Sequence, residues 1–143
     1  MSPDSTIARI KAYGANSFRV VSGAADLAAA RQDPPKQLPA AFVIVTQEDP
    51  GPNSLGTGGL SQHVAATFAV VLCVGNLRDV RGAKAREDLE SLRLYLLQAL
   101  LLWPPASGFD PTEKGRGKLL AFQDQVLWWQ DDFRTGYWLN ATV

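Results

Sequence analysis

The sequence holds one cysteine, one histidine and one methionine in 143 residues, and no excess of either charge. Each scarcity excludes something. A lone Cys73 forbids an intrachain disulfide, so nothing points to secretion. It lies in Val70-Val71-Leu72-Cys73-Val74, where a thiol reads as a small core residue and not as a nucleophile. One histidine with one cysteine leaves no conventional zinc set, only carboxylates such as Glu48, Asp49, Asp131 and Asp132. Lys plus Arg equals Asp plus Glu at 14 each, which argues against a domain whose main task is gripping phosphate. Zero net charge also removes a brake on association, which an assembling protein tolerates. Met1-Ser2-Pro3-Asp4 lacks the basic-then-apolar pattern of a signal peptide. The longest apolar runs, Ala99 to Pro105 among them, are too short to span a bilayer. The expectation is a soluble, single-domain protein over 1–143 that starts in a cytoplasm and has no membrane partner. A chain of this length can bury roughly 70% of the surface its unfolded form exposes, so it needs no staple.

What is there reads as alternating helices and hairpins. Asp4 or Ser5 can cap a helix carrying Ile7, Ile10 and Tyr13 on one face, which Gly14 and Asn16 end. Phe18 to Ser22 predicts a short strand, and Ala24 to Arg31 a helix stopped by Pro34, Pro35 and Pro39. Phe42 to Thr46 is a β-branched strand. Glu48 to Gln62, full of turn formers, predicts a long hairpin loop. Val64 to Val74 is the longest strand pattern and is apolar on both faces, so both need cover. A helix from Asp79 to about Trp103 carries Leu89, Leu92, Leu96, Ala99 or Leu100, and Trp103 at intervals of three and four. Past Arg93 its polar face nearly vanishes, which asks for another subunit or another element on that side. Lys118 to Phe122, a Gln123-Asp124-Gln125 turn and a strand from Val126 to about Trp138 complete the chain. The fold class is α+β, a mixed and mainly antiparallel sheet of about five strands with about three helices packed on it.

Chemistry finds little support. A hydrolase would need Ser61 or Ser54 beside His63, with Asp49 as orienting acid. No Gly-x-Ser-x-Gly elbow is present. Gly56-Thr57-Gly58-Gly59 lacks the Lys-Ser/Thr ending of a phosphate loop and leads into a strand. Asp131 and Asp132 would face opposite ways in a strand, so they would not share an ion. Neither a cofactor nor a catalytic residue is expected. Lys114-Gly115-Arg116-Gly117-Lys118 is basic and flexible by composition, a mild basic rim of Lys114, Arg116 and Lys118. The dense feature is aromatic: Trp128, Trp129, Phe133, Tyr137 and Trp138 fall close together. Adjacent tryptophans face opposite sides of a strand, so one can fill the core while the other needs separate cover.

A set of ordered blocks also resembles a known family. They are Phe42-Val43-Ile44-Val45, Thr67 to Leu72, Val74-Gly75-Asn76-Leu77-Arg78-Asp79, Leu92-Arg93, Ala99 to Pro104, and Gly117 to Leu120. The strongest is Val126-Leu127-Trp128-Trp129-Gln130-Asp131-Asp132-Phe133-Arg134-Thr135. Together, over roughly residues 40 to 135, they resemble the tail terminator proteins of long-tailed bacteriophages. The resemblance implies a ring-forming subunit, usually a hexamer, that caps the head-proximal end of a tail tube and stops its polymerisation. It implies as partners further copies of itself, the tail tube protein and a head-side connector or stopper, with DNA passing through the lumen without specific binding. The location would be the neck of the virion tail, after assembly in the host cytoplasm. Another neck or tail-completion protein is the alternative, and a small hydrolase using Ser61 and His63 the remote one. On this reading the long hairpin loop is an arm toward the tube or a neighbour. The candidate interface residues are Leu55, Leu60, Leu97, Leu101, Trp129, Phe133 and Arg134.

Overall fold

The computed structural model describes residues 1–13, 17–33, 35–75 and 83–143. Helix α1 (Asp4–Tyr13) leads to strand β1 (Val20–Ser22), helix α2 (Ala24–Gln32), and strands β2 (Ala40–Pro50) and β3 (Gly59–Gly75). Helix α3 (Ala83–Leu100) and strands β4 (Glu113–Gln123) and β5 (Val126–Thr142) follow. The expected helix end at Gly14 and Asn16, the stop at Pro34 and the helix start at Asp79 lie outside the described residues.

The sheet order is β1-β2-β3-β5-β4. β1 runs parallel to β2, and every other neighbour is antiparallel, which is the mixed, mainly antiparallel α+β sheet the pattern predicts. The frame is the β3–β5 ribbon, paired without a register break from Gly59↔Thr142 to Gly75↔Val126. β3 is central because both its faces are apolar, and each is covered inside the chain. Phe68, Val70, Leu72 and Val74 meet Ile10 of α1 and Leu89, Leu92, Leu96 and Leu100 of α3. Val71 and Cys73, pointing the other way, meet Ala30 of α2, Phe42 of β2 and Trp128 of β5. Burying each of these α3 leucines contributes about 1.5–3 kcal/mol.

Three sequence expectations change. The segment from Glu48 to Gln62 is strand at both ends, because β2 runs on to Pro50 and β3 begins at Gly59. Only 51–58 turns. Its polar residues read as loop, yet their backbone groups are taken by the ladder to the far end of β5, which alternation alone does not reveal. The basic segment from Lys114 to Lys118 is part of β4, with a register shift between Lys114 and Gly117 where it pairs with β5. The long helix ends at Leu100, not Trp103, because Leu102 turns to a positive φ of 65° and donates its N–H to the Thr112 carbonyl at 2.9 Å. The tight turn before β5 is where expected, with Asp124 and Gln125 both left-handed, as a two-residue hairpin with primed geometry requires.

Candidate functional site

Two polar constructions and a set of exposed apolar side chains stand out. The first construction lies where α3 crosses β5. Asp131 is 1% exposed and accepts from Arg93 Nε at 2.9 Å, Arg93 Nη2 at 3.1 Å and Trp129 Nε1 at 3.0 Å. Lys114 Nζ adds a contact of 3.1 Å from β4. Burial pushes the Asp131 carboxyl up, but these donors outweigh it and hold the group below its ordinary value. The Arg93 guanidinium also lies 4.5 Å over the Trp129 ring. Gly117 sits close against this cluster: a Cβ there would come within 2.7 Å of Asp131 Oδ1 and 3.2 Å of Trp129. One carboxylate thus ties α3, β4 and β5 together.

The second construction fastens the segment after α3 to the distal part of the sheet. Beyond Glu113 the outer side of β5 has no β4 partner, and the segment fills that place. Asp110 donates its N–H to the Gly136 carbonyl at 2.8 Å, and Thr135 Oγ1 donates to the Asp110 carbonyl at 2.7 Å. The Asp110 carboxylate meets His63 Nε2 at 2.7 Å, and Phe109 stacks on Tyr137 at 4.9 Å. The His63–Asp110 pair crosses directly over Gly136, where a Cβ would lie 2.6 Å from His63 Nε2 and 2.7 Å from Asp110 Oδ2. The Trp138 ring meets His63 edge-on at 5.2 Å. On β2, the Met1 ammonium donates to Glu48 at 2.8 Å and holds that carboxyl below its ordinary value, helped by the Tyr137 hydroxyl.

The exposed apolar side chains sit at the end of α3, on the distal strands and on β4. Leu94 is 58% exposed, Leu101 39% and Leu102 78%. Leu55, Trp138 and Leu139 are exposed at the distal end, and Leu119 and Phe122 on β4. Leu102 is the unusual one, a large apolar residue held out to solvent in a left-handed backbone that favours glycine.

Residues 1–142 match the family of the phage tail terminator protein. The chain belongs to that family. It is a structural protein of the phage tail and is located in the virion tail. Among solved structures it is similar to a chain in the virion of a native gene transfer agent (GTA) particle. That likeness has 15% identity and a TM-score of 0.48, and covers 94% of this chain and 84% of that one. No curated protein matches. The family match extends well beyond the 40 to 135 span that the sequence blocks cover, and takes in α1, α2 and the end of β5.

For a tail terminator family member, the candidate interface residues divide by exposure. Leu55 and Leu101 are exposed, and Leu60 and Leu97 are half-buried. Arg134 is exposed and donates Nη2 to the Lys114 carbonyl at 3.2 Å. Trp129 is half-buried and engaged with Asp131 and Arg93. Phe133 is corrected: it is 0% exposed, stacked on Phe68 at 5.4 Å inside the core, and presents no surface to a partner. In the basic rim, Arg116 and Lys118 are exposed, whereas Lys114 is committed to Asp131. Asp131, weighed in the sequence as a carboxylate that would not share an ion with Asp132, is a buried ion-pair centre.

The Ser61–His63–Asp49 arrangement is not assembled. His63 faces Asp110, Asp49 accepts from Gln47 Nε2 at 2.6 Å, and the Ser61 carbonyl takes the Ser54 hydroxyl. Among the described residues no three His, Cys, Asp or Glu gather as a metal site, and no helix is long and apolar enough to cross a membrane. Sequence reasoning missed Asp110, Leu102 and the Arg93–Asp131 pair. Arg93, alone with Gln98 as a polar residue in the apolar half of α3, was the available signal for the last of these.

Proposed function

We propose that this protein, one domain over residues 1–143, forms a ring that caps the head-proximal end of the tail tube. The ring is a hexamer, ends tube polymerisation and presents a surface to the head-side connector or stopper. DNA passes through its lumen without specific binding, and the protein works without catalysis or a cofactor. It assembles in the host cytoplasm and resides at the neck of the tail. Family membership across nearly the whole chain carries this reading. Its physical support is the exposed apolar surface of Leu94, Leu101 and Leu102, which a protein of zero net charge leaves open to association. A ring needs a head-to-tail contact that closes, so two different surfaces of each copy must be engaged.

The test joins light scattering of the purified protein with a tube-capping assay and images of particles lacking it. Rings in solution or on tube ends, with overlong or headless tails in the mutant, are expected. A monodisperse monomer that ignores purified tail tubes overturns the proposal. Normal tails with leaking heads would instead place the protein on the head side of the neck.

A further inference from the structure

The sheet is left open along two unlike edges. β1 covers only Ala40–Phe42 of β2, so, among the described residues, 43–50 have a strand neighbour on the β3 side alone. At the other end, β4 pairs with β5 and, among the described residues, has no strand beyond it. Unpaired N–H and C=O groups along such edges are templates for another chain.

The two edges suit each other in direction, length and charge. From β2 through β3 and β5 to β4 each neighbour reverses direction. Laying β4 of one copy beside β2 of the next therefore makes one more antiparallel pair. Residues 43–50 and 116–123 are stretches of equal length, eight each. β4 offers exposed Arg116 and Lys118, while β2 offers exposed Asp49 and Glu48, the latter also meeting the Met1 amino group. Joining β4 to β4 would crowd the cations of two copies, and joining β2 to β2 would crowd the carboxylates. Like charges facing across strands are destabilising, so only the unlike edges attract.

A register with Asp49 opposite Lys118 keeps each opposed pair on one face of the sheet and also sets Val45 opposite Phe122, which is 39% exposed. It leaves Pro50 at the end of the ladder, where an edge strand tolerates a missing N–H. The register shift between Leu119 and Ala121 bends β4, and bulges of this kind supply the curvature a closing sheet needs.

We infer that β4 of one copy adds as a strand to residues 43–50 of β2 in the next, and that this junction joins the ring. The inference rests on the ring reading above and names its contact. It is tested with the full chain carrying Glu48→Cys and Leu119→Cys, opposite each other on one sheet face in this register and both exposed. Within one chain these positions are three strand spacings apart, about 14 Å, beyond the reach of a disulfide at about 7 Å between Cα atoms. Cys73 does not compete, since burial pushes its thiol up to about 12. The oxidised double variant should run as a ladder of covalent oligomers under denaturing, non-reducing conditions, while each single variant stays monomeric. In parallel, Arg116→Glu with Lys118→Glu should weaken self-association by at least about tenfold, with melting unchanged. Wild-type rings without cross-linking, a covalent dimer from Leu119→Cys alone, or unchanged association in the charge variant would overturn this junction and leave the ring intact. A wild type that forms no ring at all overturns both.

Discussion

Replacing Asp131 with asparagine is the sharpest test of how the subunit is held together. The carboxylate is 1% exposed and faces two cations and the Trp129 indole, every contact being at 3.1 Å or less. Asparagine keeps the shape, removes the charge and turns an amide NH2 toward groups that are themselves donors. Removing one partner of a buried ion pair costs about 3–5 kcal/mol, because the other charge is left uncompensated. Here the Arg93 and Lys114 side chains keep 32% and 24% exposure, so water can solvate part of what is left. The expected loss is therefore about 2–4 kcal/mol, which for a chain of this size lowers Tm by roughly 5–15 °C. Urea denaturation followed by circular dichroism should show a lower midpoint with an unchanged slope.

The pH dependence makes the reasoning refutable. The folded-state pKa of Asp131 is depressed, so its stabilisation is present above the ordinary carboxylate value and is lost as pH falls through the folded value. The wild type and Asp131→Asn should thus differ fully at neutral pH and converge in acid. A loss below about 1 kcal/mol, or one that persists unchanged into acid, would refute the ion-pair account. Changing Arg93, Lys114 and Asp131 together to Met, Met and Leu should recover most of the loss, since an apolar replacement leaves no charge stranded.

Other changes probe the remaining features. Leu102→Gly should raise stability by roughly 1 kcal/mol by relieving the left-handed backbone, while weakening self-association, as read by calorimetry and sedimentation. Gly136→Ala should cost about 1–3 kcal/mol, since its methyl occupies the space of the His63–Asp110 pair, and should expose the 104–111 segment to limited proteolysis. His63→Ala with Ser61→Ala should still assemble virions; loss of assembly in a correctly folded double variant would reopen the chemical reading of these residues.

Periodicity made the element order legible, since three helices and five strands emerge wherever apolar spacing of two or of three and four dominates. It failed where backbone pairing, not side-chain burial, decides the structure. Residues 47–50 and 59–63 are, apart from Leu60, polar or small, and nothing in them announces that β5 runs alongside to Thr142. The same blindness hid the strand character of the segment from Lys114 to Lys118. At the candidate site the apolar excess of α3 was readable, and Leu101 is indeed exposed. Phe133 was misplaced because an aromatic-rich strand shows which residues are large but not which of them another strand covers. Asp110 was invisible because its value comes from a contact 47 residues away, with His63.

Trp128 and Trp129 show what the most family-like block contributes. Opposite facing put one ring under α2 with Phe42 and Cys73, and the other on the α3 side beneath Arg93. The ring that seemed to need separate cover thus finds it inside the chain, and of the two tryptophans one is buried and one half-buried. Next along the strand Asp131 and Phe133 are interior as well, so the block from Val126 to Phe133 mainly fixes the sheet and its helices as one body. The proposed ring would give the subunit reason to be stiff there, because small errors in each copy accumulate around a closed circle. On this view partner choice falls to what lies outside the block: the end of α3 with Leu101 and Leu102, the distal strands with Leu55 and Trp138, and the charged sheet edges. Substitutions in the block should therefore act through stability, and substitutions outside it through association at unchanged stability. The comparison of Asp131→Asn with Arg116→Glu/Lys118→Glu separates the two.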